Sequence, residues 1–187
     1  MERVGPTAAL VVIDVQQGFL DEEYWGRRNN PHSESNIAVL LDHWRATARP
    51  VVFVRHDSTS TTSPLHPDAP GNDFQPVVTG EPDLLVRKSV NSSFHGTPDL
   101  HAWLRQEGIT ELVLCGITTN HCCETTARVG GNLGLDVWFA LDATHTFDRQ
   151  DPDGELVTAD TLSRVTATNL HGEFATVTTT QFLTSTP

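Results

Sequence analysis

Six short apolar or strand-like runs, separated by segments with helical periodicity, limit the folds open to this chain. Residues 8–13 are continuously apolar. A strand with one wet face alternates, so an unbroken run of this length reads as a strand buried on both faces. Residues 51–54, 84–87, 112–115, 137–141 and 175–177 are expected to supply the other five strands. Between them, residues 35–48 bring Ile37, Leu40, Leu41 and Trp44 to one helical face. A second helix is expected from Pro98, a residue suited to a first helical position, to Gly108. A third ends near Gly130 and Gly131, and a fourth spans about 154–169. Strand alternating with helix predicts an α/β fold of three layers, α-β-α, with a mostly parallel six-stranded sheet in the Rossmann-like manner. The 187 residues suit one domain, 1–187, without repeat or linker. The stretches 16–31 and 56–82 read as loops, and a loop as long as the second is usually functional or disordered.

Several function classes are disfavoured at this level. The longest apolar runs are strand-sized, so no membrane-spanning segment is expected. No basic region precedes an apolar stretch with a cleavage site, so no signal peptide is expected either. Three cysteines, two of them adjacent, make a poor disulfide framework and suit a reducing cytoplasm. A net charge of −12 argues against nucleic acid and anionic membrane as partners. With no arginine clamp evident, it favours a neutral or cationic small-molecule substrate. The other expected partner is a further copy of the chain, as a dimer or tetramer. Gly130, Gly131 and Gly134 do not form a dinucleotide fingerprint after a strand, and no phosphate-binding lysine loop occurs. No cofactor is expected.

The chemistry concentrates in Leu114-Cys115-Gly116-Ile117-Thr118-Thr119-Asn120-His121-Cys122-Cys123. A strand breaks at Gly116, a short polar turn follows, and Cys122 falls where the next helix starts. The partial positive charge of a helix N-terminus favours a thiolate, and its N–H groups can hold an oxyanion. Asp14 closes the first strand and Lys88 follows the third. Ligands of open sheets bind beyond the strands' carboxyl ends, so the three groups converge if strand one lies between strands two and four. A carboxylate can then take the thiol proton, and a lysine can hold the pair charged and polarise a carbonyl. Cys115 lies inside a strand and reads as a buried small hydrophobe. Cys123 could rival Cys122, but on a helix it points about 100° away. His56, Asp57 and His66 could be gathered by a loop around a metal. Without a HExxH, paired-cysteine or compact histidine motif, no metal is expected. A non-catalytic interaction module and a thiol sensor are the alternatives, although adjacent cysteines close only a strained disulfide.

The segments Ala9-Leu10-Val11-Val12-Ile13-Asp14-Val15-Gln16-Gln17-Gly18-Phe19, Arg87-Lys88-Ser89-Val90-Asn91-Ser92-Ser93-Phe94 and 116–127 together resemble the isochorismatase-like cysteine hydrolase superfamily. That superfamily includes nicotinamidase, N-carbamoylsarcosine amidohydrolase, biuret hydrolase and streptothricin hydrolase. The resemblance runs from residue 8 to about 178. It implies Asp14 as general base, Lys88 as catalytic lysine and Cys122 as nucleophile. It also implies a cis peptide at Ile117–Thr118 and an oxyanion hole built from the N–H groups of Thr118 and Cys122. The position after the nucleophile, usually aliphatic in the family, is Cys123 here. Nicotinamidases carry an Asp–x–His pair and a further His that bind a metal, whereas this chain reads Arg55-His56-Asp57-Ser58. True isochorismatases do not use the cysteine, so Cys122 counts against vinyl-ether cleavage. The implied activity is metal-independent hydrolysis of a non-peptide carbon–nitrogen bond in a small amide, lactam or ureide, a streptothricin-type lactam among them. Phe19, Trp25, His56, Phe94 and His121, on loops flanking the crevice, are the expected pocket walls.

Overall fold

In the computed structural model, which describes residues 3–185, the alternation becomes fourteen labelled helices and strands. In chain order they are β1 (Ala9–Ile13), α1 (Glu22–Trp25), α2 (Ser33–Ala46), β2 (Val51–His56), β3 (Leu84–Lys88), α3 (Leu100–Gln106) and β4 (Glu111–Ile117). There follow α4 (Glu124–Asn132), β5 (Asp136–His145), β6 (Arg149–Gln150), β7 (Leu156–Val157), α5 (Ala159–Leu170), β8 (Thr176–Thr178) and α6 (Thr180–Thr184). The ends of the expected 1–187 unit, residues 1–2 and 186–187, lie outside the described residues. No helix among the described residues is long and apolar enough to cross a membrane.

Six strands form one sheet in the order β3-β2-β1-β4-β5-β8, with every pairing parallel. β1 is therefore flanked by β2 and β4, and all five of its residues are buried. Side-chain alternation splits the interior into two layers. Leu10, Val12, Phe53 and Trp138 meet α2 and α6 through Ile37, Leu40, Leu41, Trp44 and Leu183. Val11, Ile13, Val54, Leu114 and Phe139 meet α3, α4 and α5 through Leu100, Leu104, Ala127 and Leu170. Trp44 also donates its indole N–H to the Ala8 carbonyl at 2.8 Å, locking α2 onto the start of β1.

Some boundaries differ from the sequence reading, each for a local reason. Pro98 does not open α3. It follows a cis Thr97–Pro98 bond, and Asp99 caps the helix by accepting from the Ala102 N–H at 3.0 Å. The helix expected over about 154–169 starts later because Thr158 caps it, accepting from the Thr161 N–H. Residues 149–157 pair as the β6–β7 hairpin instead. The stretch 16–31 contains a 3₁₀ turn, Gln17–Leu20, and α1, and α6 had no periodic signal long enough to read.

Gly116 sets how closely β4 approaches β1. It stands opposite Ile13, the last residue before Asp14, at a φ of 127°. A Cβ there would lie 2.0 Å from the Ile13 carbonyl oxygen, so only glycine lets the two strand ends close. Asp14 itself has a φ of 53°, a left-handed geometry that an aspartate tolerates better than most residues, and its N–H is held by the Val54 carbonyl at 2.9 Å. The Gly116→Ala variant is expected to lose more than about 1 kcal/mol of stability, a melting shift of at least ~2–4 °C for a chain of this size. Thermal unfolding followed by circular dichroism measures it, and an unchanged melting temperature would refute the close-approach argument.

Candidate active site

Three strand ends carry the site. Asp14 follows β1, Lys88 closes β3, and the π-type turn Thr119–Cys123 after β4 delivers Cys122. His56 closes β2 and stands in register with Lys88. The Lys88 ammonium is the hub. Its Nζ donates to Asp14 Oδ2 at 2.6 Å, to His56 Nδ1 at 3.2 Å and to Cys122 Sγ at 3.4 Å. Three contacts account for all three N–H bonds of an ammonium. Both ends of the Asp14–Lys88 pair are fully buried. Asp14 Oδ1 is buried without a hydrogen-bond partner, and an Asp14 carboxylate oxygen lies within 4.8 Å of Cys122 Sγ. The Cys122 thiol can also donate to Asn91 Oδ1, 3.7 Å away.

The electrostatics follow from burial and these neighbours. Burial pushes the Cys122 thiol up, the Asp14 carboxylate adds to the rise, and Lys88 only partly opposes it. Burial would depress the Lys88 ammonium, but Asp14 and then Cys122 outweigh it, so its pKa is raised. Burial, then Lys88, lowers His56 against the pull of Asp14 and Asp57. The resting state is a neutral thiol beside an Asp14–Lys88 ion pair and a neutral His56. This corrects the expectation of a helix-stabilised thiolate: Cys122 sits in a buried turn ahead of α4, beside a carboxylate, and those effects exceed a helix-end dipole.

The loops are pinned to keep this geometry. The buried Gln16 side chain donates to the carbonyls of His56 at 3.0 Å and Asn72 at 2.8 Å, and accepts the His56 N–H at 2.8 Å. Asn72 donates to the carbonyls of His56 and Leu65. These two amides tie the long 56–82 loop to the end of β2. On the other side, the Thr119 hydroxyl donates to Thr144 Oγ1 at 2.9 Å and the Thr146 hydroxyl to Asn120 Oδ1, fastening the Thr119–Cys123 turn to β5 and the segment after it.

A cavity of about 130 Å³ opens over Cys122. Phe19, Trp25, His56 and His121, four of the five expected wall residues, line it. The Phe19 and Trp25 rings lie 4.8 Å apart, and Trp25 is fixed by its indole N–H to the Gly18 carbonyl at 2.8 Å. Phe94 is a correction: the turn Ser93–His95 directs it to the other face, against Gly130 and the His101 ring. Leu65, Asn91, Thr118 and Arg149 also line the cavity. Arg149 corrects the expectation of a site without arginine. It stands 27 residues beyond Cys122, on a hairpin that the sequence hid inside an expected helix and its approach. The Ile117–Thr118 bond is cis. Cys115 and Cys123 are completely buried in the core, and neither lines the cavity.

The cluster of ligating atoms among the described residues is Asp14, His56 and Cys122. The His56, Asp57 and His66 set considered from sequence does not assemble. Asp57 Oδ2 accepts from Arg87 Nε at 2.7 Å, and His66 Nδ1 accepts from the Asp68 N–H. The Lys88 ammonium already bonds to all three members of the observed cluster, so the cation in their midst is a side chain of the protein itself.

Residues 8–181 match the isochorismatase domain family. The chain is 39% identical over 176 residues to the uncharacterized isochorismatase family protein YrdC of Bacillus subtilis (strain 168), covering 94% of this chain and 93% of that one. It is 32% identical over 149 residues to a streptothricin hydrolase of Streptomyces noursei, covering 78% of this chain and 57% of that one. An isochorismatase-family structure from Chromobacterium violaceum ATCC 12472 superposes with a TM-score of 0.93 at 37% identity, covering 99% of this chain and 95% of that one.

Because the thiol rests protonated, its alkylation by iodoacetamide is expected to keep rising, about tenfold per pH unit, up to at least the ordinary thiol value of 9.0. The rate at Cys122 is read by peptide mass spectrometry across pH 6–10. A plateau at or below pH 7 would reveal a preformed thiolate and overturn the assignment.

Proposed function

The chain belongs to the isochorismatase family, and from that premise we propose that it is a cysteine hydrolase cleaving a non-peptide carbon–nitrogen bond in a small amide, lactam or ureide. The observation that carries the reading is the Lys88 hub, which holds a buried carboxylate and a buried thiol on one ammonium at 2.6 and 3.4 Å. A thiol that rests neutral needs a base at the moment of attack, and Asp14 Oδ1 is an acceptor with no other partner. The similarity to a streptothricin hydrolase supports keeping lactams within the substrate class.

In this reading Asp14 takes the Cys122 proton as Sγ attacks the carbonyl carbon. The C–S bond forms and the carbonyl electron pair moves onto oxygen. The N–H groups of Thr118 and Cys122, with the Lys88 charge nearby, stabilise that oxyanion. As the tetrahedral intermediate collapses, the C–N bond breaks and Asp14 returns the proton to the leaving amine. Water, deprotonated by Asp14, then attacks the thioester and releases the acid, and the proton returns to Cys122. Lys88 keeps its proton throughout and fixes the two reacting side chains.

A panel of amides, lactams and ureides assayed for amine or ammonia release tests the reading. Cys122→Ala is expected to reduce turnover to background with the fold intact, and Asp14→Asn to cost about 10²–10⁴-fold in kcat. Mass spectrometry of quenched reactions should find the acyl group on Cys122. Substantial turnover by Cys122→Ala, or acylation of Cys123, would refute the mechanism.

Activity is further expected to survive exhaustive dialysis against a chelator, since Lys88 supplies the cation that Asp14, His56 and Cys122 surround. Loss that zinc or iron reverses would instead assign those three side chains to a metal.

A further inference from the structure

Among the described residues, Arg149 is the one wall residue of the Cys122 cavity that carries a permanent charge. Its guanidinium makes a single hydrogen bond among the described residues, from a terminal nitrogen to His121 Nδ1 at 3.3 Å. Its Nε is buried without a partner, and no described carboxylate lies within 4.0 Å of it. Arg27, Arg28, Arg87 and Arg128 have carboxylate partners. Arg49 and Arg55 do not, but they lie over the Trp44 and Phe74 rings; Arg149 has neither kind of partner among the described residues and lines the Cys122 cavity. A buried charge is expensive without a counter-ion. Consistent with that, burial lowers its pKa.

The arginine is also held in place. Arg149 pairs with Val157 across the β6–β7 hairpin. Asp151 Oδ1 closes the hairpin turn by accepting the N–H groups of Asp153 and Glu155 at 2.9 Å. The preceding residue, Asp148, accepts the Ala159 N–H at 2.7 Å, tying the hairpin to α5. Because a guanidinium only donates, His121 Nδ1 must accept, which fixes that ring with its proton on Nε2. Burial and then Arg149 keep His121 below its ordinary pKa, against Glu124. One donor of the guanidinium is thereby used for orientation, and the other N–H groups of its two terminal nitrogens have no protein partner among the described residues.

We propose that Arg149, oriented by His121, is the substrate-specificity residue of this site and binds a carboxylate carried by the substrate a few atoms from the scissile carbonyl. The inference rests on the hydrolase reading for the identity of the reacting carbonyl. The cavity's 130 Å³, about four times the ~30 Å³ share of a liquid water, keeps the two ends of the ligand close. A carboxylate suits the planar donor fork of a guanidinium. The net charge of −12 had favoured a neutral or cationic substrate. That field is screened over about 8 Å at physiological salt, whereas Arg149 acts at contact.

The test uses paired alkylating agents that differ only in the anion. Iodoacetate and 3-bromopropionate are compared with their neutral amides in the unmodified chain, Arg149→Gln and Arg149→Lys, at a pH where Cys122 reacts with all four. The carboxylate-to-amide rate ratio at Cys122 is expected to fall at least about tenfold in Arg149→Gln and to recover in part in Arg149→Lys. Equal ratios in all three proteins would overturn the anion subsite while leaving Cys122 as the nucleophile. A second arm needs no reaction and no change at Arg149: calorimetric titration of Cys122→Ala with succinamate and with neutral succinamide. Succinamate binding at least about tenfold tighter supports the subsite even if Cys122 proves unreactive and the hydrolase reading falls. Equal affinities, or no detectable binding of succinamate, overturn it.

Discussion

The buried contact between Lys88 and Asp14, 2.6 Å long and shielded from solvent at both ends, is the constraint around which the rest is arranged. Burying two charges costs several kcal/mol per ion, and their attraction repays this only when geometry and additional hydrogen bonds are good. The fold supplies both. The parallel sheet brings the ends of β1, β2, β3 and β4 to one edge, so the carboxylate, His56, the ammonium and the turn bearing Cys122 meet there. His56 and Cys122 take the remaining two donors of the ammonium. The pair is thus a poor investment for stability and a good one for holding two reactive groups in register.

The same burial decides the protonation state of Cys122. A helix N-terminus favours an anion by about 0.3–1 kcal/mol, up to ~2 in partly buried geometry, which amounts to roughly one and a half pKa units at most. Burial and the neighbouring carboxylate push the other way and prevail. A thiol that stays neutral is protected from adventitious oxidation and alkylation. The neutral His56 belongs to the same balance, since a charged imidazole there would compete with Lys88 for Asp14.

Around this centre the walls are irregular in sequence but firmly anchored. Gln16 and Asn72 use side-chain amides to add to the main-chain bonds that the 56–82 loop makes with Gln17, Val15 and Lys88, so a stretch rich in Ser, Thr and Pro becomes a fixed wall. Arg149 comes from a two-residue strand whose only ladder partner is another two-residue strand. The cavity these walls frame combines aromatic rings, Phe19 and Trp25, with a cation beside His121.

The strand and helix order, the burial of β1 on both faces and the convergence of Asp14, Lys88 and Cys122 at one edge were legible in the sequence. They rest on local periodicity and on the rule that parallel strands end on the same side. Phe19, Trp25, His56 and His121 were legible as wall residues for the same reason, being close in sequence to those strand ends. What lay beyond the sequence was set by contacts between distant segments. Phe94 was misassigned because a 3₁₀ turn, not its distance from Lys88, sets its direction. The neutral thiol depends on burial and on the carboxylate of Asp14, more than a hundred residues away in sequence. Arg149 was invisible because nothing within its own neighbourhood marks it: only closing the sheet, and folding residues 149–157 back as a hairpin, brings it to the cavity over Cys122. The sequence determined the scaffold and its reactive edge, while the tertiary structure alone decided the charge of the groups at that edge and the chemistry of the wall they face, because desolvation and close approach exist only once the chain has folded.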